Sequence, residues 1–270
     1  MTTAVSDAAE PAYAARAERR VPPMGGLNPT LLRIELLRVL RNRRTMIFTL
    51  VMPAVFYLIF GVSQSYADQD AGRGNVAAYI MISMAAYGAM IASTGGGAMV
   101  ATERAQGWSR QLRLTPLSPV AYVFVKLLTA MLLGALAVLV VFVIGAFTKA
   151  QMDTVGLWVA TALIAWAGSL VFAAFGLFMG YLLPSENVMQ IIGPGLAILA
   201  FAGGLFVPLE DGSTLQKIAQ FTPMYGISSL AHAPLTGDSF QWAWVLNVAA
   251  WLVVFAGGAI WRFRKDTARV

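Results

Sequence analysis

Long apolar runs recur six times along this 270-residue chain, and that pattern alone removes most folds from consideration. They lie at about 45–62, 76–101, 120–148, 154–183, 188–207 and 241–261. A helix needs ~20 predominantly apolar residues to cross the hydrocarbon core of a bilayer. A backbone exposed to lipid must also satisfy its own hydrogen bonds. The fold class that follows is an all-α polytopic membrane protein, with six transmembrane helices preceded by an in-plane amphipathic helix. Composition agrees: charged residues make up 12% of the chain, against roughly 25% in soluble domains. Cysteine is absent, which excludes disulfides and thiolate metal sites.

The net charge of +6 is a matter of topology rather than of nucleic acid. With six spans and both termini cytoplasmic, every Lys and Arg except Arg73, Lys149 and Lys217 falls on the inner side. The acidic residues show no such bias, since Asp68, Asp70, Asp153, Glu210, Asp211 and Asp238 lie outside. That is the positive-inside pattern of a multi-pass protein in the plasma (cytoplasmic) membrane.

Residues 1–26, rich in Ala, Arg, Glu and Pro, read as a disordered cytoplasmic tail. Residues 27–44 carry helical periodicity, with Leu32, Leu36, Val39 and Leu40 on one face and Glu35, Arg38 and Asn42 opposite. Asn28-Pro29 suits the helix start, and a basic amphipathic helix of this kind lies in the membrane interface. Pro53 is placed to kink the first span. The second ends in Gly95-Gly96-Gly97, which permits close helix contact, bending near the cytoplasmic end, or merely loose packing. Lys126, near the start of the third, can snorkel to the headgroups. Gly176 and Gly180 form a GxxxG in the fourth, a pattern that suits a close helix crossing. Gly193-Pro194-Gly195 and Gly203-Gly204 break the fifth, which points it toward the protein interior, as a transport path or a subunit contact. The outer segment 208–240 is too short to span and either lies on the surface or dips in as a re-entrant hairpin. Residues 263–270 form a cytoplasmic tail.

Several chemistries lack their parts. None of the four lysines follows a glycine, so a Walker A loop is excluded. One histidine and no cysteine leave no metal cluster. Ser169 and His232 are the only prospect of a nucleophile and base, and they come from different segments without the usual elbow. His232 is expected in an exposed loop. No carboxylate or arginine falls near a span centre, so a proton relay has no residues to run through. Met81, Met84, Tyr87, Met90, Phe172, Phe175, Phe178 and Met179 offer a possible adaptable pocket for large apolar compounds.

One short basic island separates the second and third spans: Glu103 to Pro119, ERAQGWSRQLRLTPLSP. Trp108, Gln111 and Leu112 share a helical face, and Thr115-Pro116 ends the turn. The island is either a loop that sets topology or a cytoplasmic handle. With Lys126 beyond it, it resembles the segment of ABC-2 type permeases in which an acidic-basic pair precedes a Gly, a short helix, Thr-Pro-Leu-Ser and a Lys. Glu103, Arg104, Gly107, Leu112, Thr115, Pro116, Leu117, Ser118 and Lys126 are the matching positions. The amphipathic first helix, Pro53 and the Pro223-Met-Tyr-Gly226 stretch also look like that family, over roughly residues 28–262. The resemblance is to daunorubicin-resistance-type drug exporters, and it implies an ABC-2 exporter-like fold. It implies a non-catalytic permease subunit working beside a cytoplasmic ABC ATPase and a second permease copy. No cofactor would bind this chain, and ATP with Mg would reside on the ATPase. Glu103, Arg104, Gly107, Trp108, Gln111, Leu112, Thr115 and Pro116 would form the coupling interface. Pro53, Gly193, Pro194, Gly195, Gly203 and Gly204 would lie at the dimer contact or pathway. An ATP-independent secondary transporter and a membrane scaffold are the alternatives.

Overall fold

The structure, a computed structural model, describes residues 28–107, 118–210 and 212–267. Helix α1 (Pro29–Leu40) starts where Asn28 Oδ1 accepts from Thr30 N at 2.8 Å, an N-cap followed by proline at N1. After the single turn Arg43–Met46 comes α2 (Ile47–Val62), the shortest of the apolar helices. Five longer helices have the length and hydropathy to cross a membrane: α3 (Val76–Ala105), α4 (Pro119–Ala146), α5 (Val155–Leu182), α6 (Ser185–Ala202) and α9 (Trp242–Thr267). Between α6 and α9 lie two shorter helices, α7 (Thr214–Ala219) and α8 (Pro223–Thr236). Among the described residues there is no strand, only isolated bridges at Asp70–Asn75 and Gly74–Met152.

The bundle is built around α3, whose Ala-, Gly- and Ser-rich sequence lets other backbones approach on several sides. A Cβ added at Gly96 would lie 3.0 Å from Ala130 Cα of α4, and one at Gly97 2.6 Å from the Ala173 carbonyl of α5. Gly96 and Gly97 of the glycine run therefore serve close helix contact. On α5, Gly176 faces the Thr94 backbone and Gly180 faces Ala98. The GxxxG thus makes a crossing within the chain, of the small-residue kind expected in lipid. Away from α3 the bundle presents hydrocarbon: Leu139, Val159, Leu246 and Val253 are all more than half exposed. Such faces suit lipid rather than water.

A short α-helical stretch, Met52–Tyr57, is flanked by π-helical turns at Ile47–Val51 and Leu58–Val62, a known way to absorb a local irregularity. Pro53 itself is buried, and its ring fills the space beside Gly88 of α3. The expected break at residues 193–195 is absent: α6 runs through Pro194 without interruption. Gly193 and Pro194 are exposed, and among the described residues added Cβ atoms at Gly193 and Gly195 meet nothing beyond their own helix backbone within 4 Å. Within one chain this stretch therefore faces outward rather than into the interior. The helix ends at Gly203 and Gly204. A Cβ at Gly203 would strike Met224 of α8, and Gly204 adopts φ 72 to reverse the chain.

The segment from Pro208 to Phe240 folds back onto the bundle. Helix α8 is buried against α3, α5, α6 and α9, with Met224, Ile227, Ala231 and Leu235 in the common core. His232 is accordingly 5% exposed and not a loop residue. It lies against Tyr79 with ring centroids 4.0 Å apart, its Nε2 is 3.0 Å from Ser83 Oγ, and its Nδ1 is 2.8 Å from the Ser228 carbonyl. Ser169 pairs elsewhere, accepting from Ser93 Oγ at 3.1 Å and donating to the Trp166 carbonyl at 2.6 Å. The two residues considered as a nucleophile and base are thus not brought together. Of the residues considered as a pocket, Met81, Met84, Met90 and Phe172 are close-packed core, and Tyr87, Phe175, Phe178 and Met179 pack partly buried against it.

Candidate functional site: a buried ionic cluster beneath the central loop

Two roots carry the loop between α3 and α4. On the first, the last turn of α3 presents Glu103 and Arg104, and Gly107 closes the turn with φ 73. On the second, Ser118 caps α4 by accepting from Ala121 N at 3.2 Å, which starts a helix carrying Tyr122 and Lys126 one and two turns later. Trp108, Gln111, Leu112, Thr115 and Pro116 lie outside the described residues.

The side chains of the two roots converge on Glu103. This carboxylate is 4% exposed. It accepts from Lys126 Nζ at 2.5 Å, from Tyr122 Oη and from Arg38 of α1. Lys126 Nζ also donates to Glu35 Oε2 of α1 at 2.6 Å, and Arg38 donates to the same oxygen at 3.0 Å. The Lys126 ammonium stands 5.3 Å from the Tyr122 ring centroid. Two carboxylates, one ammonium and one guanidinium thus form a neutral quartet joining α1, α3 and α4.

This arrangement corrects two expectations. Lys126 is 2% exposed, so it does not snorkel. Glu35 is 6% exposed and faces the protein, not the polar side of α1. The reason is the cost of an unpaired charge at a helix end lined with apolar residues, which is offset only by a full set of partners. Helix α1 meets that need by packing Leu36, Val39 and Leu40 beside Ala92, Leu133 and Ala137, which brings Glu35 into reach of Lys126. Ile34 and Leu37 point away, 57% and 37% exposed. For Arg38, burial would lower the guanidinium's pKa, but the hydrogen bond and charge of Glu103, with the charge of Glu35, raise it. It stays cationic in any case.

Arg104 ties the loop to a fourth helix. Its Nη1 donates to the carbonyls of Gly180 at 3.2 Å and Tyr181 at 2.9 Å, and the guanidinium lies 5.6 Å from the Tyr181 ring centroid. A cation on the last carbonyls of α5 satisfies acceptors that the helix leaves open and complements its dipole. Of the coupling residues inferred from sequence, Glu103 and Arg104 are therefore turned inward, where they hold helices together, while Gly107 stands at the loop's edge. Glu35 and Tyr122 escaped sequence analysis. The available signal was the lysine itself, since an ammonium two turns into a span demands a carboxylate, and α1 offers Glu35 beside its apolar stripe.

A multi-pass helical bundle with a charged network gathered at the base of one inter-span loop has the architecture of a membrane permease. Its sequence matches the ABC-2 type transporter family over residues 28–233, and the chain belongs to that family. It is also similar to a Bacillus subtilis (strain 168) protein carrying the provisional name transport permease YvfS. The two are 31% identical over 226 residues, which cover 82% of this chain and 90% of that protein.

Proposed function

We propose that this chain is the permease subunit of an ATP-binding cassette exporter, driven by a separate cytoplasmic ATPase that grips the loop between α3 and α4. The observation that carries this reading is the ionic cluster at the loop's roots. Glu103 and Arg104 at one root, and Tyr122 and Lys126 at the other, bond to each other, to α1 and to α5. A push on the loop is thereby delivered to four helices at once rather than dissipated in a free hinge. The loop end of the bundle is cytoplasmic in this reading, in accord with the Lys/Arg bias of the sequence. ATP and Mg are handled by the partner, and the chain catalyses nothing itself.

The working unit is a dimer of permeases with two ATPases. The unfilled surface at Gly193 and Gly195 on α6 supports close approach by a second copy there. The cargo is an amphipathic compound of drug or lipid type, as in the exporters that the sequence resembles. The test is co-purification followed by reconstitution. The chain should retain a soluble ATPase, and Trp108→Ala or Leu112→Asp should uncouple ATP hydrolysis from transport without affecting membrane insertion. Uphill transport by the isolated chain in liposomes would refute the reading in favour of a secondary transporter.

A further inference from the structure

At the end of the bundle away from the loop, a recess of about 670 Å³ opens between α5, α8 and α9. That volume is in the range of small-molecule sites. Its walls are hydrocarbon: Ile164, Ala167 and Val171 from α5, Ile227 and Leu230 from α8, and Leu252 from α9. The α5 residues belong to the middle third of that helix, so the recess runs well into the bundle. Two charges of opposite sign, Arg73 and Asp238, line the same recess from the connecting segments.

The sequence builds this wedge deliberately at three points. A Cβ at Gly168 would lie 2.7 Å from an Ile227 methyl, so glycine there lets Ile227 of α8 seat closely against α5. Gly226 packs against the Trp244 carbonyl and Asn247, which fixes the start of α8 to α9. At the other end Gly237 takes φ 79 and ends α8, releasing the chain toward α9. The recess lies between these pins. Arg73 is held there by its backbone, which donates to the Leu235 carbonyl at 2.7 Å and accepts from Asp153 N at 3.0 Å. Asp238 accepts from Thr236 Oγ1 at 2.6 Å, which leaves its other oxygen open.

We propose that this recess binds a zwitterionic glycerophospholipid, with an acyl chain between α5, α8 and α9, the phosphate at Arg73 and the ammonium at Asp238. The surrounding surface decides the class of occupant. Val159 and Leu163 on α5 and Leu246 and Val253 on α9, all more than half exposed, continue the apolar wall on faces suited to lipid. A ligand arriving there comes from the bilayer, and a tail with a dipolar head matches apolar walls with one cation and one anion. An anionic lipid would leave Asp238 opposed, and an uncharged one would leave both groups unused. Lipid binding requires only that α5 and α9 span the membrane. Assignment to the outer leaflet rests on the orientation proposed above, and the two can fail separately.

The experiment uses the full-length chain in vesicles of phosphatidylethanolamine and phosphatidylglycerol. These are doped with phosphatidylethanolamine, phosphatidylglycerol or diacylglycerol bearing a diazirine in one acyl chain. After irradiation, adducts are mapped by mass spectrometry. Labelling by the phosphatidylethanolamine probe should concentrate on residues 164–171 and 248–252. Ala167→Trp, which fills the recess, should lower it about tenfold while labelling on α4 stays constant. Arg73→Glu should lower phosphatidylethanolamine labelling and leave diacylglycerol labelling unchanged. Adducts spread evenly over all apolar faces, no response to Ala167→Trp, equal labelling by the three probes, or crosslinks to a second copy at this recess would each overturn the proposal. Concentrated labelling combined with a reporter showing the recess on the cytoplasmic side would keep the lipid site and refute only the orientation.

Discussion

The Lys126 ammonium and the Glu103 carboxylate meet at 2.5 Å although 23 residues of chain separate them, and that contact closes the loop between α3 and α4 at its base. Each group is almost wholly buried, so neither tolerates loss of the other. Glu103→Gln or Lys126→Met should each destabilise the solubilised protein by roughly 3–5 kcal/mol, because a buried charge is left uncompensated. The double variant should lose less than the sum of the two. Thermal unfolding followed by size-exclusion fluorescence checks this, and strict additivity would show that the two groups do not share a network.

Glu35 gives a sharper test, because α1 lies outside the spans. Glu35→Gln keeps the shape and a hydrogen-bond acceptor but removes the charge opposite Lys126, and it leaves Arg38 with Glu103 alone. If α1 transmits force through the cluster, transport should fall more than stability does, with ATPase activity of the complex maintained. Leu37→Gln, on the outward side of the same helix, should change neither by more than about twofold, a factor worth only a fraction of 1.4 kcal/mol. Parallel losses in transport and in folded yield would reduce Glu35 to a structural role.

Arg104 spans two carbonyls at the end of α5 with one guanidinium nitrogen and adds a contact with the Tyr181 ring. Arg104→Ala should cost about 1–3 kcal/mol, the range for a charge-assisted hydrogen bond. Arg104→Lys should recover only part of this, because an ammonium lacks the planar group that stacks on the ring. Differential scanning fluorimetry of the three proteins checks the order, and full recovery in the lysine variant would make charge alone the cause.

How far the sequence reveals this molecule depends on the kind of signal. The apolar runs identify the five long helices and the shorter α2, because length and hydropathy are local properties. The caps at Asn28 and Ser118 are local too. The break inferred at Gly193-Pro194-Gly195 fails for a different reason: α6 runs through Pro194. Whether a proline interrupts a helix depends on its surroundings, which the local sequence does not give, whereas the ring of Pro53 is seated beside Gly88 of α3. The charged cluster was visible only as separate residues. Glu35, Glu103 and Lys126 are 68 and 23 residues apart in sequence, and no periodicity encodes their meeting. His232 was misplaced because α8 is moderately apolar and short, and its burial comes from the glycines at 168, 203 and 226 that its neighbours and its own turn supply.

Those glycines also set apart two kinds of position on the bundle. At Gly97 a side chain would run into the α5 backbone, 2.6 Å from the Ala173 carbonyl and 2.7 Å from Leu177 N, neither of which can move without breaking the helix. Gly97→Val should therefore cost at least the ~1–3 kcal/mol of an overpacked core and sharply lower the yield of folded protein. At Gly193 an added Cβ meets no described atom beyond its own helix backbone within 4 Å, so Gly193→Val should leave a monomer's stability almost unchanged. A second copy packed against α6 would make that valine a clash between chains. The variant should then insert normally yet lose the dimer in crosslinking and in multi-angle light scattering. A Gly193→Val protein that remains dimeric would move the contact between copies away from this face of α6.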